Sequence, residues 1–178
     1  MTASYELPVQ ATDGVSRMDR AELERELERL HAASFGWALG CCGRNHDEAQ
    51  EVLQTVYVKV LDGKARFDGR SSLKTWLFAV IRHTALAHRR TRWIRSLALL
   101  RLPDPEPARD DYERSEETAR LIAALRRLAR RQREVLELVF YHDMTIEEAG
   151  QALQISVGSA RVHYTRGKKR LEALLGDA

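Results

Sequence analysis

The chain has 178 residues, of which 44% are apolar, and a formal net charge of +3, so it can form one medium domain or two small ones around a packed core. It contains no apolar run long enough to cross a membrane, and residues 1–18 do not resemble an export signal, so we expect a cytoplasmic protein. Cys41 and Cys42 are adjacent and would point about 100° apart on a helix, which favours reduced thiols over a disulfide.

A metal site is the alternative interpretation of these two thiols. Cys41, Cys42, His46 and His31 carry ligand atoms that zinc accepts, but adjacent cysteines lack the usual C-x2-C spacing. Buried thiols more often behave as small apolar groups. We therefore expect neither a metal ion nor a cofactor.

The charged residues fall into four blocks of alternating sign. The net charge is −5 over residues 1–62, +9 over 63–101, −5 over 102–118 and +4 over 119–178. The two positive blocks are candidates for binding a polyanion, although each block by itself is also compatible with an ordinary solvated face.

Two helices are predicted before the first basic block. Residues 1–18 show no apolar periodicity and are expected to form a loose, disordered tail. Asp19 can cap a first helix whose apolar residues extend to Gly40. Asn45 precedes a second helix, which is predicted to end at Gly63.

A third, long helix is predicted after a short basic connection. Ser71 or Ser72 can cap it. The positions predicted to face inward on this helix are Leu73, Trp76, Leu77, Val80 and Ile81. Residues 99–116 contain three prolines and many acidic side chains, and they predict a flexible linker because proline cannot continue a helix.

The remainder of the chain again favours helices. Apolar residues recur at helical spacing from residue 119 onward, and no run with a period of two is present in the chain. The predicted fold class is therefore all-α, with two small helical domains on either side of the linker.

Residues 145–169, TIEEAGQALQISVGSARVHYTRGKK, predict two helices separated by a tight turn. Thr145 and Glu148 form a T-x-x-E capping box, so a helix should begin at Ile146. Ser156 can cap the helix that follows. Two helices joined this tightly form a helix-turn-helix, whose second helix can lie in the major groove of DNA. An ordinary helical hairpin is the alternative.

The charge on this second helix favours DNA binding. It carries a single acid, Glu172, and six basic side chains, Arg161, His163, Arg166, Lys168, Lys169 and Arg170. A face that meets only water normally mixes both signs of charge. Guanidinium groups can bind guanine edges, whereas lysines mainly bind phosphates.

Two segments resemble conserved regions of one protein family, the extracytoplasmic-function sigma factors, which are promoter-recognition subunits of bacterial RNA polymerase. Their fourth conserved region is similar to residues 125–175, LRRLARRQREVLELVFYHDMTIEEAGQALQISVGSARVHYTRGKKRLEALL. Their second region is similar to residues 48–90, EAQEVLQTVYVKVLDGKARFDGRSSLKTWLFAVIRHTALAHRR. The second match is strongest in F-D-G-R-S-S-L-K-T-W-L, from Phe67 to Leu77.

The resemblance implies two DNA-binding domains, a region 2-like domain over residues 19–98 and a region 4-like domain over 117–178. The implied contacts to the −35 promoter element are Ser156, Ser159, Arg161, His163, Arg166, Lys168 and Lys169. The implied contacts to the −10 element, which region 2 opens, are Lys64, Arg66, Phe67, Arg70, Arg82, His83, Arg89 and Arg90. Phe67 either contacts a base or packs under the following helix.

The resemblance also implies that the second helix docks on the RNA polymerase core. The implied polymerase-binding residues are Asp47, Glu48, Glu51, Gln54 and Thr55. Gln50 and Thr55 stand where family members commonly carry carboxylates, which thins the acidic face. We hypothesise that a Ser/Thr kinase restores the missing charge by phosphorylating Thr55. An anti-sigma factor is a further candidate partner.

Two residues depart from the family's helix-turn-helix pattern. Gln154 stands where a turn glycine is common, and a positive φ at this residue would cost about 1 kcal/mol. Gly150 replaces the usual alanine of the first helix, which is a loss of similar size. These departures concern the geometry of the turn.

Two other functions explain the sequence less well. A stand-alone helix-turn-helix regulator normally needs a dimer interface, which the sequence does not show. An enzyme acting on nucleic acid needs clustered carboxylates or metal ligands near its basic surfaces, and Asp68 is the one acid in the +9 block. We therefore expect no catalytic activity.

Overall fold

The computed structural model describes residues 18–98 and 116–176, and within these ranges the chain forms helices and no strand. The helices are α1 (Arg20–Cys41), α2 (His46–Leu61), α3 (Leu73–Ala98), α4 (Glu116–Arg126), α5 (Arg130–Phe140), α6 (Ile146–Leu153) and α7 (Val157–Gly176). The all-α prediction is confirmed for the described ranges. None of the helices in them has the length and apolarity of a membrane span.

The gap between the described ranges separates an N-terminal half, α1–α3, from a C-terminal half, α4–α7. The predicted tail over residues 1–18 and the predicted linker over 99–116 lie outside the described residues, apart from Met18 and Glu116. Glu116 is already the first residue of α4.

Side-chain caps begin the helices of the N-terminal half at the predicted positions. The carboxylate of Asp19 and the side-chain oxygen of Asn45 each accept a hydrogen bond from the backbone N–H three residues later, at 2.7 Å and 3.0 Å. At the third helix Ser72, rather than Ser71, is the cap, because its Oγ accepts from the N–H of Thr75 at 3.1 Å. Local sequence was therefore enough to place these helix starts.

The centre of the core lies between α1 and α3. The rings of Trp37 and Phe78 are fully buried and stack with their centroids 5.8 Å apart. The indole N–H of Trp37 donates to the carbonyl oxygen of Phe78 at 3.0 Å, so the polar atom of this buried ring is satisfied. Helix α2 contributes Val52, Leu53 and Val56 to the same buried cluster.

Helix α3 packs on the core with the face that its periodicity predicts, but its buried surface extends to further residues. Leu77 and Ile81 are fully buried as predicted, and so is Phe78, which the prediction left out. The other three predicted inward positions are only partly buried, Leu73, Trp76 and Val80. The cause is tertiary, since α6 packs along α3 and extends its buried surface.

The loop between α5 and α6 joins the two halves by inserting His142 into the N-terminal half. His142 is 3% exposed, and its ring lies edge-on to Phe78 at a centroid distance of 4.9 Å. The ammonium of Lys74 donates to the backbone carbonyl oxygen of His142. Burial lowers the pKa of His142 to about 4, with Lys74 adding to the shift. The buried residues of both halves form one continuous cluster.

Candidate nucleic-acid interface

The capping box at residue 145 is present as predicted. The Thr145 hydroxyl accepts from the N–H of Glu148 at 3.1 Å, and the Glu148 carboxylate accepts from the N–H of Thr145 at 2.8 Å. Helix α6 begins at Ile146 for this reason.

Residues 154–156 connect α6 to α7 in a tight turn. Gln154 adopts φ 55°, the positive value that its place in the turn predicted. Ile155 N–H donates to the carbonyl oxygen of Gly150 at 2.9 Å. A Cβ at Gly150 would lie 3.3 Å from the Ile155 oxygen, so the glycine gives the turn room as well as costing helix propensity. Ser156 caps α7 by accepting from the N–H of Ser159 at 3.1 Å.

One face of α7 packs closely on the rest of the C-terminal half. Ala160 is fully buried near Gly150 of α6. Gly167 is buried at the crossing with α5, where a Cβ would lie 3.1 Å from Gln132 Cβ and 3.2 Å from Leu136 Cδ1. Two small residues therefore let α7 approach both of its neighbours, and its orientation follows from these contacts.

The opposite face of α7 presents the predicted basic side chains to solvent. Its exposed cations are Arg161, Arg166, Lys168, Lys169 and Arg170, and the predicted cap residues Ser156 and Ser159 are exposed with them. His163 is only partly buried. Arg161 donates to Glu147 at 2.8 Å, but both side chains are more than half exposed, so this pair contributes little.

The loop before α3 exposes the cations that were assigned to the −10 element. Lys64, Arg66 and Arg70 are exposed, and their partners are close in sequence. Lys64 lies 3.1 Å from the carboxylate of Asp62, and Arg70 lies 3.9 Å from that of Asp68. Such exposed local pairs contribute little and leave the loop available to an anionic strand.

Phe67 packs against the start of α3. Its ring lies at a centroid distance of 5.5 Å from the ring of Trp76, with an angle of 56° between the planes, and it is partly buried. The packing alternative therefore accounts for Phe67 in this structure. Contact with a base stays a prediction.

Three of the four predicted DNA-binding residues of α3 are solvent-facing and one is not. His83, Arg89 and Arg90 are exposed. Arg82 is 6% exposed, and its Nε lies 3.4 Å from the carboxylate of Glu134 on α5. In this arrangement Arg82 is inaccessible to DNA, because the C-terminal half covers it.

The predicted polymerase-binding face of α2 is exposed but partly neutralised. Its exposed members are Asp47, Glu51, Gln54 and Thr55. Glu51 lies 3.1 Å from the Nε2 atom of His88, and Glu48 contacts the guanidinium of Arg92. The two carboxylates therefore pair with a histidine and an arginine of α3.

The four candidate metal ligands around the two cysteines do not come together as a group in the structure. The described residues, which include all four candidate ligands, contain no group of three His, Cys, Asp or Glu side chains that could hold a metal ion. Burial raises the pKa of Cys41, and it raises that of Cys42 to about 11, so both remain neutral thiols.

Comparisons with known proteins identify both halves. The family model "Sigma-70 region 2" matches residues 27–95, and "Sigma-70, region 4" matches residues 118–171. The ECF RNA polymerase sigma factor SigX of Bacillus subtilis is 32% identical over 137 residues, which cover 72% of this chain and 71% of SigX. The chain belongs to the extracytoplasmic-function (ECF) sigma factors.

Other relatives of this sigma factor extend the match. The ECF RNA polymerase sigma factor RpoE of Cereibacter sphaeroides is 32% identical over 127 residues, which cover 70% of each protein. SigF of Caulobacter vibrioides, another ECF sigma factor, is 31% identical over 174 residues, which cover 93% of this chain and 89% of SigF. The family predicted from the two sequence segments is thus confirmed.

Solved structures share the fold of this sigma factor. The sigma factor RpoE from Bartonella quintana, solved with the anti-sigma factor NepR, matches with a TM-score of 0.68 at 22% identity and covers 87% of this chain and 97% of RpoE. CnrH, solved with the cytosolic domain of CnrY, matches with a TM-score of 0.63 at 22% identity, covering 89% and 90%.

Sequence reasoning missed the residues that join the two halves of the sigma factor. Glu134 and Glu137 lie in α5, a helix with many charges. His142 lies in the loop after this helix and directly follows two aromatic residues. Nothing in the spacing of these side chains distinguishes them from ordinary surface residues. Their burial arises from contacts with α1 and α3, which are distant in sequence.

Proposed function

We propose that this ECF sigma factor binds the RNA polymerase core and directs it to promoters through two separate contacts with DNA. The observation that carries the proposal is the exposed basic face of α7, which a capped α6 and a tight turn hold away from the core. An α-helix presented in this way fits the major groove of the −35 element. The turn and α7 thus act as a DNA-reading helix-turn-helix.

The second contact is assigned to the basic loop before α3 and the exposed cations of α3 itself. Opening the −10 element requires that unstacked bases and a displaced phosphate backbone be held by the protein. Lys64, Arg66 and Arg70 supply positive charge, and His83, Arg89 and Arg90 extend it along α3. Arg82 can join this surface only when the two halves separate.

The domain division follows from the same proposal. Residues 19–98 form the domain for the −10 element, residues 117–178 form the domain for the −35 element, and residues 99–116 link them. Because the two promoter elements are far apart on DNA, the halves must move away from the packed arrangement to contact both. The exposed face of α2 is then the surface for polymerase.

An anti-sigma factor is the proposed partner that controls this cytoplasmic sigma factor. RpoE from Bartonella quintana was solved with the anti-sigma factor NepR, and CnrH was solved with the cytosolic domain of CnrY. The similarity of fold supports the same class of partner for this chain.

Run-off transcription with purified bacterial core polymerase tests the proposed function. We expect a defined transcript from a target promoter only when both the core and this chain are present. Binding to the same duplex without polymerase should be weak. A chain that binds the duplex tightly by itself, and neither joins the core nor changes where it initiates, is a stand-alone regulator instead.

A further inference from the structure

A small crevice of about 60 Å³ lies where the end of α1, the middle of α3 and the start of α5 meet. Two arginines from each half of the molecule line it, Arg82 and Arg89 from α3 and Arg130 and Arg133 from α5. One acid, Glu134, lies in the lining with them. The crevice is therefore strongly cationic and is shared by the two halves.

Two carboxylates, Glu134 in the lining and Glu137 beside Gly40, are too few to neutralise the four guanidinium groups. Glu134 is already shared among three arginines, at 3.4 Å from Arg82, 3.7 Å from Arg130 and 3.2 Å from Arg131. Arg89 and Arg133 have no carboxylate within ion-pair distance among the residues that the structure describes. Positive charge is thus left over on both walls of the crevice.

Arg82 adds a buried hydrogen-bonding group that lacks an acceptor. Its side chain is 7% exposed, and its Nε and Nη2 atoms are buried without a hydrogen-bond partner in the described parts of the chain. Nε faces Glu134, but not in hydrogen-bond geometry. Leaving donors of a charged group unsatisfied is costly, so an acceptor from outside the protein would be bound favourably.

We propose that the crevice binds a tetrahedral oxyanion of the phosphate type, held by arginines of both halves. Its volume of about 60 Å³ has room for a few water-sized atoms and so admits a small tetrahedral anion. Arginine forks suit these oxygens because they donate parallel hydrogen bonds. The neighbouring Cys41 remains a neutral thiol and does not repel an anion.

Phosphate binding would be coupled to the packing of the two halves. Arg82 and Arg89 belong to the N-terminal half, whereas Arg130 and Arg133 belong to the C-terminal half. A dianion between them replaces repulsion across the interface by attraction to both sides. Binding therefore stabilises the packed arrangement and is lost when the halves separate.

The test is a titration of the full chain with inorganic phosphate, measured by calorimetry and by thermal unfolding. Sodium chloride of equal ionic strength is the control salt. Phosphate is expected to bind at one site and to raise the unfolding temperature to a plateau. Arg130→Gln and Arg133→Gln should each weaken binding about tenfold, the loss expected for one charge-assisted hydrogen bond. Arg126→Gln, an exposed arginine at the end of α4, is the matched control and should bind as the wild type does.

Several results would overturn the proposal. They are an equal effect of chloride, a rise without a plateau, or an equal loss in Arg126→Gln. If an α5 variant does not fold, Arg89→Gln replaces it, because Arg89 is exposed. This variant should show the same loss of phosphate binding. Phosphorus NMR line broadening of phosphate by the folded wild type gives an independent measurement, and its absence contradicts the site.

A second set of ligands identifies the source of the phosphate group. Binding of inorganic phosphate alone supports a site for the free ion. Equal binding of a nucleoside monophosphate supports a site for phosphate monoesters. Both results keep the proposed chemistry. If duplex DNA covers Arg133 while neither inorganic phosphate nor the nucleoside monophosphate binds, the crevice is part of a DNA surface. That outcome contradicts the proposal.

Discussion

The imidazole of His142 meets the indole of Trp37 edge-on, with the ring centroids 6.0 Å apart, although the two residues belong to different halves of the molecule. The same imidazole also lies edge-on to Phe78, so its surroundings are apolar. This contact makes the packing of the halves depend on a neutral histidine.

The first prediction concerns the stability of the protein in acid. Burial lowers the pKa of His142 from 6.5 to about 4, so its contribution is complete above pH 6.5 and is lost as the pH falls through 4. The loss amounts to at most about 3 kcal/mol. Urea unfolding of the wild type and His142→Gln between pH 7 and pH 4 measures it. The variant should show a smaller decline, and parallel curves would contradict the role of His142.

A second prediction concerns Glu137, whose carboxylate lies where a Cβ of Gly40 would be. Burial raises its pKa from 4.5 to about 7, and Arg44 and Arg133 only partly offset this. The stabilising protonated form is fully present below pH 4.5 and is lost as the pH rises through 7. Glu137→Gln should therefore gain about 1 to 2 kcal/mol of stability at pH 8 and little at pH 5.

A control variant for this prediction is Gly40→Ala. Its added methyl group would push aside only the end of the flexible Glu137 side chain, which costs little, and alanine favours a helix, so the variant should not be strongly destabilised at either pH. A gain in Glu137→Gln that is the same at pH 5 and pH 8 would show that ionisation of the carboxyl group is not the cause.

The third prediction tests the crossing of α5 and α7. Gly167→Ala should destabilise the protein by about 1 to 3 kcal/mol, because its Cβ would press on Gln132 and Leu136. Gly158→Ala is the matched change on the same helix, where the nearest atom is 4.0 Å away. It should be neutral or stabilising by up to about 1 kcal/mol, since alanine favours a helix. Thermal unfolding distinguishes the two, and equal effects would argue against the tight crossing.

The fourth prediction distinguishes base reading from phosphate binding on α7. Arg161→Ala or Arg166→Ala should cost about 1 to 3 kcal/mol in promoter binding by the assembled polymerase and should relax the preference at one −35 position. Lys168→Ala and Lys169→Ala should weaken binding to all sequences and reduce its salt dependence. Binding to a set of singly substituted promoters provides the measurement. Equal losses on every promoter would mean that α7 contacts only phosphates.

A fifth prediction tests the proposed phosphorylation of Thr55. The residue is exposed on α2, near the acidic side chain of Glu51. If the polymerase-binding face lacks negative charge there, Thr55→Asp should bind the core more tightly than Thr55→Ala. A phosphorylated Thr55, whose phosphate carries a charge of about −1.5 to −2, should raise the affinity further. Affinity for purified core polymerase is the measurement. Equal affinity for the wild type and both variants would make the position inert.

The fold was predictable where local chemistry decides it. The caps Asp19, Asn45 and Ser156 and the box of Thr145 and Glu148 all lie at the helix starts that they predicted. A cap acts within one turn, so its residues are neighbours in the sequence as well as in space. The exposed basic surface of α7 was predictable for a similar reason, because helical spacing places the buried Ala160 and Gly167 on one side and leaves the basic residues around the rest of the helix.

The full extent of the buried surface of α3 and the surroundings of Arg82 were not predictable in this way. Periodicity places a side chain on a face of its own helix, but it does not say how many neighbours cover that helix. Helix α6 covers α3 from the other half of the molecule, and α5 brings Glu134 to Arg82. A basic residue that the sequence assigned to DNA therefore lies in an interface.

The sequence alone determined the family, the helical class and the basic faces, because each follows from residues that are close along the chain. Only the tertiary structure decided that His142 lies between Trp37 and Phe78 and that four arginines meet at one crevice. These contacts join residues far apart in sequence. Their formation depends on how whole helices pack, which is a balance of burial and desolvation over both halves.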